Sequence, residues 1–189
     1  MTGRTARRVV TGLNPEGVSC IVSDGPAPRV MVMGDKFQSE VDWVWASNDT
    51  PSVPHDGSEP TSEIEPWFPE QRGNRLILET LGPFFGVEDT DDVDDSTSAE
   101  LDDMPTFNAR YWQGGIHSSD TIDYAIIISG QLWMQMEDGK EVMLEQGDCV
   151  VQTGVRHTWR NRGSEPCRVA FIILGATRTA DPEAANDPR

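Results

Sequence analysis

Two segments hold the side chains best suited to proton or metal chemistry. They are His117-Ser-Ser-Asp-Thr-Ile-Asp123-Tyr, closing on Gly130, and Gly154-Val-Arg-His157-Thr-Trp-Arg-Asn161. A histidine titrates near neutrality and its neutral ring offers a nitrogen lone pair, so His117 and His157 suit a proton relay or metal ligation. Asp123 stands in an isoleucine-rich run, where a buried carboxylate is costly unless it is paired or ligated. Plainer readings stand beside these. His117 can be a hydrogen-bonded pocket histidine, and Asp123 a strand-edge residue bonded to backbone or to Tyr124. Asp120 and Thr121 read as turn formers. Asn161 reads as a residue that closes a strand, and Trp159, Trp133 and Met136 as core or pocket wall. Tyr111 and Trp112 either line an opening or belong to the core. Cys149, with no basic partner beside it, reads as a small buried apolar residue.

Strands must aim these groups. Short β-rich runs cover 8–11, 19–23, 29–33 and 41–45, with Asp24-Gly25 placed between two of them like a hairpin turn. Residues 47–73 lose all periodicity and hold five prolines, which predicts a loop insertion. A strand follows at 75–81. Residues 87–104 carry nine carboxylates and no basic residue, a self-repelling block that predicts a solvated surface loop. A calcium loop there lacks the required Gly and terminal Glu. From 107 to 175 strands crowd together at 123–129, 131–137, 141–145, 149–152, 157–161 and 169–174. Residues 131–137 alternate strictly, and Asp138-Gly139 is a two-residue hairpin signal. Period-2 alternation sends Asp123, Ala125 and Ile127 to one side, and likewise His157 with Trp159. Many short strands with tight turns and no long amphipathic helix predict an all-β antiparallel sandwich or barrel.

On those two segments the chain resembles the cupin superfamily, over roughly residues 107–176. His117 falls on the first His of the family's first motif, Asp123 on its Glu and Gly130 on its closing Gly. Gly154, His157 and Asn161 fit the second motif, with Gln152 where Pro is usual. Ser119 stands in place of the second motif His. The resemblance implies a cupin-type antiparallel β-barrel, a double-stranded β-helix or jelly roll, at 74–176. Residues 1–46 would supply strands that pack on or extend it, and 177–189 a tail. It also implies a divalent metal, Fe, Mn or Zn, held by His117, Asp123 and His157, with Ser119 or Gln152 as a weak fourth donor. Two imidazoles and one carboxylate make a facial set with positions open to water and substrate. Ser119, Tyr111, Gln152 and Trp159 would line the pocket. Without a metal, Asp123 and His157 remain an acid/base pair in an apolar container. A third possibility is a non-catalytic barrel that holds a small ligand. The expected enzyme reactions are decarboxylation, isomerisation, dehydration or oxygenation of a small oxygenated substrate, and the expected assembly is a homodimer.

Composition narrows the classes. Thirty-two acidic residues against fifteen basic ones give a net charge of −17 over 189 residues. Such a surface repels phosphate backbones and anionic lipid, so neither nucleic acid nor membrane is an expected partner. Three scattered cysteines and no apolar leader fit a reducing, cytoplasmic setting. The absence of phosphate-binding glycine loops and of HExxH and GxSxG motifs leaves nucleotide-dependent and serine-hydrolase chemistry unsupported.

Overall fold

A computed structural model describes residues 5–33, 39–55, 57–86, 110–111 and 115–179. The described strands, in chain order, begin with β1 (Arg7–Leu13), β2 (Ser19–Pro26), β3 (Arg29–Met33), β4 (Ser39–Ser47) and β5 (Asn74–Leu81). Next come β6 (Arg110–Tyr111), β7 (His117–Ser118), β8 (Thr121–Ser129) and β9 (Gln131–Met136). The last are β10 (Glu141–Glu145), β11 (Cys149–Gln152), β12 (His157–Arg160) and β13 (Cys167–Gly175). Strands β10-β9-β12-β7-β6 form one sheet, β11-β8-β13-β5-β4-β3 a second, and β1-β2 a separate pair. Every pairing is antiparallel. This is the all-β antiparallel barrel that the alternation predicts.

The period-2 pattern decides what the two large sheets bury between them. Ile77 and Leu81 of β5, Ala125 and Ile127 of β8, and Val169 and Ile173 of β13 share a core with Leu132 of β9 and Leu144 of β10. Tight turns fix the register. Gly130, at φ +80°, turns β8 into β9, and a Cβ there would lie 2.6 Å from the Pro166 carbonyl oxygen. Only glycine fits both the left-handed backbone and that approach.

Two expectations change. Asp24-Gly25 is not a turn: Asp24 pairs with Val9 and Gly25 with Arg8 inside the β1–β2 ladder. The chain reverses instead at Asn14, whose amide donates to the Val18 carbonyl. The Arg7 guanidinium, bound to the Asp24 carboxylate through two bonds of 2.6 and 2.7 Å, holds that aspartate in the strand. Cys149 is exposed, because β11 is an edge strand and Cys149 lies in its outward phase.

The proline-rich stretch has no strand, as its sequence predicts, yet it buries Ile64, Trp67 and Phe68 against the core. The Trp67 ring meets Trp43 edge-on at 5.8 Å. Buried Arg75 anchors this cap. Its guanidinium donates to the Ser47 carbonyl (2.8 Å), the Asn48 side-chain oxygen (2.8 Å) and the Pro66 carbonyl (3.1 Å). Burial lowers the Arg75 pKa to about 10. The acidic block at 87–104 lies outside the described residues.

Candidate functional site

His117 and His157 sit directly opposite each other in the β7–β12 pairing, so their side chains share a face. Their ring centroids are 4.4 Å apart at an interplanar angle of 50°. His157 Nδ1 lies 3.0 Å from the Val155 carbonyl oxygen and His117 Nδ1 lies 3.2 Å from that of Gly115. A carbonyl only accepts, so each Nδ1 carries the proton and each Nε2 keeps a lone pair. Burial lowers the pKa of both rings, and each neighbouring carbonyl partly offsets it; the His157 ring pushes His117 further down. Both imidazoles are therefore neutral at pH 7. His157 meets Trp159 edge-on at 5.6 Å, and Trp159 meets Phe171 of β13 at 5.8 Å. This run of rings crosses from one sheet to the other, so the histidine pair faces the barrel interior.

Asp123 lies on the opposite wall. It occupies the inward phase of β8 with Ala125 and Ile127 and is only 7% exposed. The Thr121 hydroxyl, two residues earlier on the same face, donates to its carboxylate. Ser119 Oγ and Thr121 Oγ1 share a hydrogen bond of 2.6 Å. Asp123 Oδ1 is buried without a protein partner. Burial raises the carboxyl pKa to about 6, and the Thr121 bond partly offsets that rise.

The surrounding residues brace these walls. Gln152 pairs with Asp123 across β8–β11 and is buried, but its amide oxygen is taken by the Val155 N–H at 3.3 Å. It thus steadies the turn that carries the His157 partner. Gly154, at φ +72°, lets that turn approach the first motif, since a Cβ there would lie 2.8 Å from the Ser119 carbonyl oxygen. Arg178 ties the two motifs together, donating to the Asp120 carboxylate (2.6 Å) and to the carbonyls of Ser119 (2.9 Å) and Gly154 (3.2 Å). Asn161 donates to the carbonyls of Leu81, Gly82 and Glu165 and closes its strand. Tyr111 lies opposite His117 in the β6–β7 pairing, and its side chain falls outside the described residues. A cleft of about 220 Å³ opens on the far side of β7, lined by Phe68, Gln71, Ser118 and Ser119 among others.

The sequence pattern of the cupin domain family matches residues 110–173, the stretch that holds both histidines and Asp123. Over that stretch the chain is similar to the cupin domain family. Phomopsin biosynthesis cluster protein C' of Diaporthe leptostromiformis is 34% identical over 62 residues, 32% of this chain and 33% of that protein. The chain spans about a third of the length of the first curated relatives it matches. The cupin-domain-containing oxidoreductase fogC of Aspergillus ruber is 26% identical over 170 residues, covering 88% of this chain and 71% of that one. Among solved structures, a cupin 2 conserved barrel domain protein from Salinispora arenicola aligns with a TM-score of 0.42 at 12% identity, over 78% of this chain and 82% of that one.

Proteins of that family often hold a metal, and the residues of this chain can be tested for it. Among the described residues, no group of three or more His, Cys, Asp or Glu is spaced to hold a metal ion. His117 and His157 come together on the five-stranded sheet. Asp123, the third expected ligand, faces inward from the six-stranded sheet.

Sequence reasoning missed three groups. Thr121 is a buried strand residue bonded to Ser119 and not a turn former; its position two before Asp123, in phase, was the available signal. Glu79 is buried in the inward phase of β5 between Ile77 and Leu81, with Ser39 Oγ donating to its carboxylate at 2.6 Å. The alternation of 75–81 carried that signal. Arg178 had none, since its three acceptors come from segments 24 to 59 residues away.

Proposed function

We propose that this protein is an enzyme that moves a proton on a small oxygenated organic substrate, in an isomerisation or dehydration. The observation that carries the proposal is that His157 on the five-stranded sheet and Asp123 on the six-stranded sheet both face the barrel interior. His157 Nε2 takes a proton from carbon, and the Asp123 carboxyl gives one to the substrate oxygen as negative charge grows there. In an isomerisation His157 then returns its proton to the neighbouring carbon and Asp123 recovers one from the other substrate oxygen; in a dehydration the protonated hydroxyl leaves as water and both groups re-equilibrate with solvent. Sheets packed about 10 Å apart leave room for only a few substrate atoms between such side chains, so the substrate is small. The Aspergillus ruber relative, a cupin-domain-containing oxidoreductase, supports an enzymatic role.

A metal-dependent reading has one observation in its favour. Both Nε2 lone pairs belong to rings 4.4 Å apart, a pair that suits a divalent cation. His117 and His157 would be the ligands, and Asp123 would not.

Proton NMR in D2O with a panel of small keto and hydroxy acids separates these readings. Proton-transfer catalysis washes deuterium into the substrate carbon, survives exhaustive chelation and falls about 100-fold or more in Asp123→Asn and His157→Gln. Loss of activity on chelation, restored by one divalent metal, moves the assignment to the histidine pair. If no panel member exchanges or binds, the enzymatic reading fails.

A further inference from the structure

A buried side-chain amide seldom leaves its N–H groups unused, yet Gln152 does. It ends β11, in the inward phase that Val150 shares, and is only 4% exposed. Its amide oxygen accepts the Val155 N–H at 3.3 Å. Only the oxygen of an amide can accept from N–H, so that bond fixes which way the group faces. The –NH2 end is turned away from the 153–155 turn, and no acceptor among the described residues takes its protons.

Asp123 is its cross-strand neighbour, directly opposite in the β8–β11 pairing. Side chains so paired stand on one face with Cβ atoms about 5 Å apart. Both point inward, and Asp123 Oδ1 is also buried without a partner. An acid and an amide thus stand side by side on the six-stranded sheet with hydrogen-bonding capacity unspent. The histidine pair faces them from the other sheet. Two such groups, a few ångströms apart, suit a single oxygen atom placed between them.

We propose that the Gln152 amide is a second donor to the substrate oxygen that Asp123 addresses, and that the substrate is an aldehyde or ketone with a C–H bond next to its carbonyl. The inference rests on the proton-transfer reading above and narrows it. His157 Nε2 takes the proton from carbon, the C–H electron pair becomes the new C=C bond and the carbonyl π pair moves onto oxygen. That oxygen takes the Asp123 proton. The Gln152 N–H groups hold it as its charge grows, and both amide protons stay on nitrogen. A preset donor in an enclosed site needs no reorganisation when that charge appears. It favours an oxygen that gains charge, as a carbonyl does on losing the adjacent proton and an ether does not.

Two substitutions separate this role from bracing the turn. Gln152→Glu keeps an oxygen for the Val155 N–H and removes the –NH2 group, whereas Gln152→Met removes both. Each lowers kcat about 100-fold with KM little changed, although only Gln152→Met lowers the melting temperature. If Gln152→Glu keeps the wild-type kcat, the amide serves the turn alone and the proposal fails. A measurement without turnover stands beside this. In full-length protein labelled with 15N-glutamine, the Gln152 –NH2 pair is the one missing from Gln152→Glu. Titration with acetone moves one of its protons downfield and saturably; isobutene, of similar shape without the oxygen, does not. A pair that moves with neither acetone nor any keto acid of the panel overturns the proposal, whether or not the protein catalyses exchange. A pair that moves while no panel member exchanges keeps the two-donor carbonyl site and fails the enzymatic reading alone.

Discussion

The carboxyl at position 123 is governed by two opposing influences, burial and the Thr121 hydroxyl, and the balance can be shifted one atom at a time. Thr121→Val keeps the side-chain shape and removes the donor, so the Asp123 pKa should climb above about 6; carbon-13 carboxyl NMR reads it directly. In the proposed mechanism activity should fall as pH rises through that value, because the acid form is lost. Glu79 is a second buried acid, in apolar surroundings with Ser39 as its donor. Burial raises its pKa to about 7 against an ordinary 4.5, and the Ser39 bond partly offsets the rise. The folded state therefore binds more protons than the unfolded state between those values. The stability this carboxyl contributes is full below the unfolded pKa and is lost as pH rises through about 7. Glu79→Gln keeps the bond from Ser39 and removes the ionisation. It should flatten the slope and stabilise the protein at pH 8 by on the order of 3 kcal/mol, as urea titrations at pH 5 and pH 8 would show.

The strands bring the site together through two close approaches. Gly154 lets the turn before β12 rest on Ser119, and Arg178 spans both segments from beyond β13. Arg178→Met should leave the melting temperature little changed, because a partly exposed ion pair contributes about 1 kcal/mol or less. Amide exchange should nevertheless speed up at 117–121 and 153–156, where its three acceptors lie. Gly130→Ala should be far more damaging. It combines a left-handed backbone with a 2.6 Å contact to the Pro166 carbonyl, and a loss of more than about 2 kcal/mol in urea unfolding is expected.

Across the whole protein, charge and bare apolar surface oppose each other. A net charge of −17 pushes the chain apart, while the outer face of β8 and the β1–β2 pair carry exposed isoleucine, valine and tyrosine. Added salt screens the repulsion over a distance of about 10 Å at 0.1 M. The melting temperature should therefore rise between low salt and 0.5 M sodium chloride in differential scanning fluorimetry. A flat response would mean that the acidic residues are already dispersed or paired.

Alternation and turn chemistry are local, and they alone determined the β class, the strand positions from 123 to 174 and the shared phase of Asp123, Ala125 and Ile127. Spacing between glycines and histidines was enough to point to the cupin superfamily. Local pattern could not decide which sheet each strand would join, because pairing depends on contacts between residues far apart in the chain. That choice placed His117 beside His157 on one sheet and Asp123 on the other. It also turned an aperiodic, proline-rich stretch into a cap over Trp43. Asp24-Gly25 became part of a ladder through an arginine seventeen residues earlier. Turn propensity acts over four residues, and ladder bonds and an ion pair outweighed it.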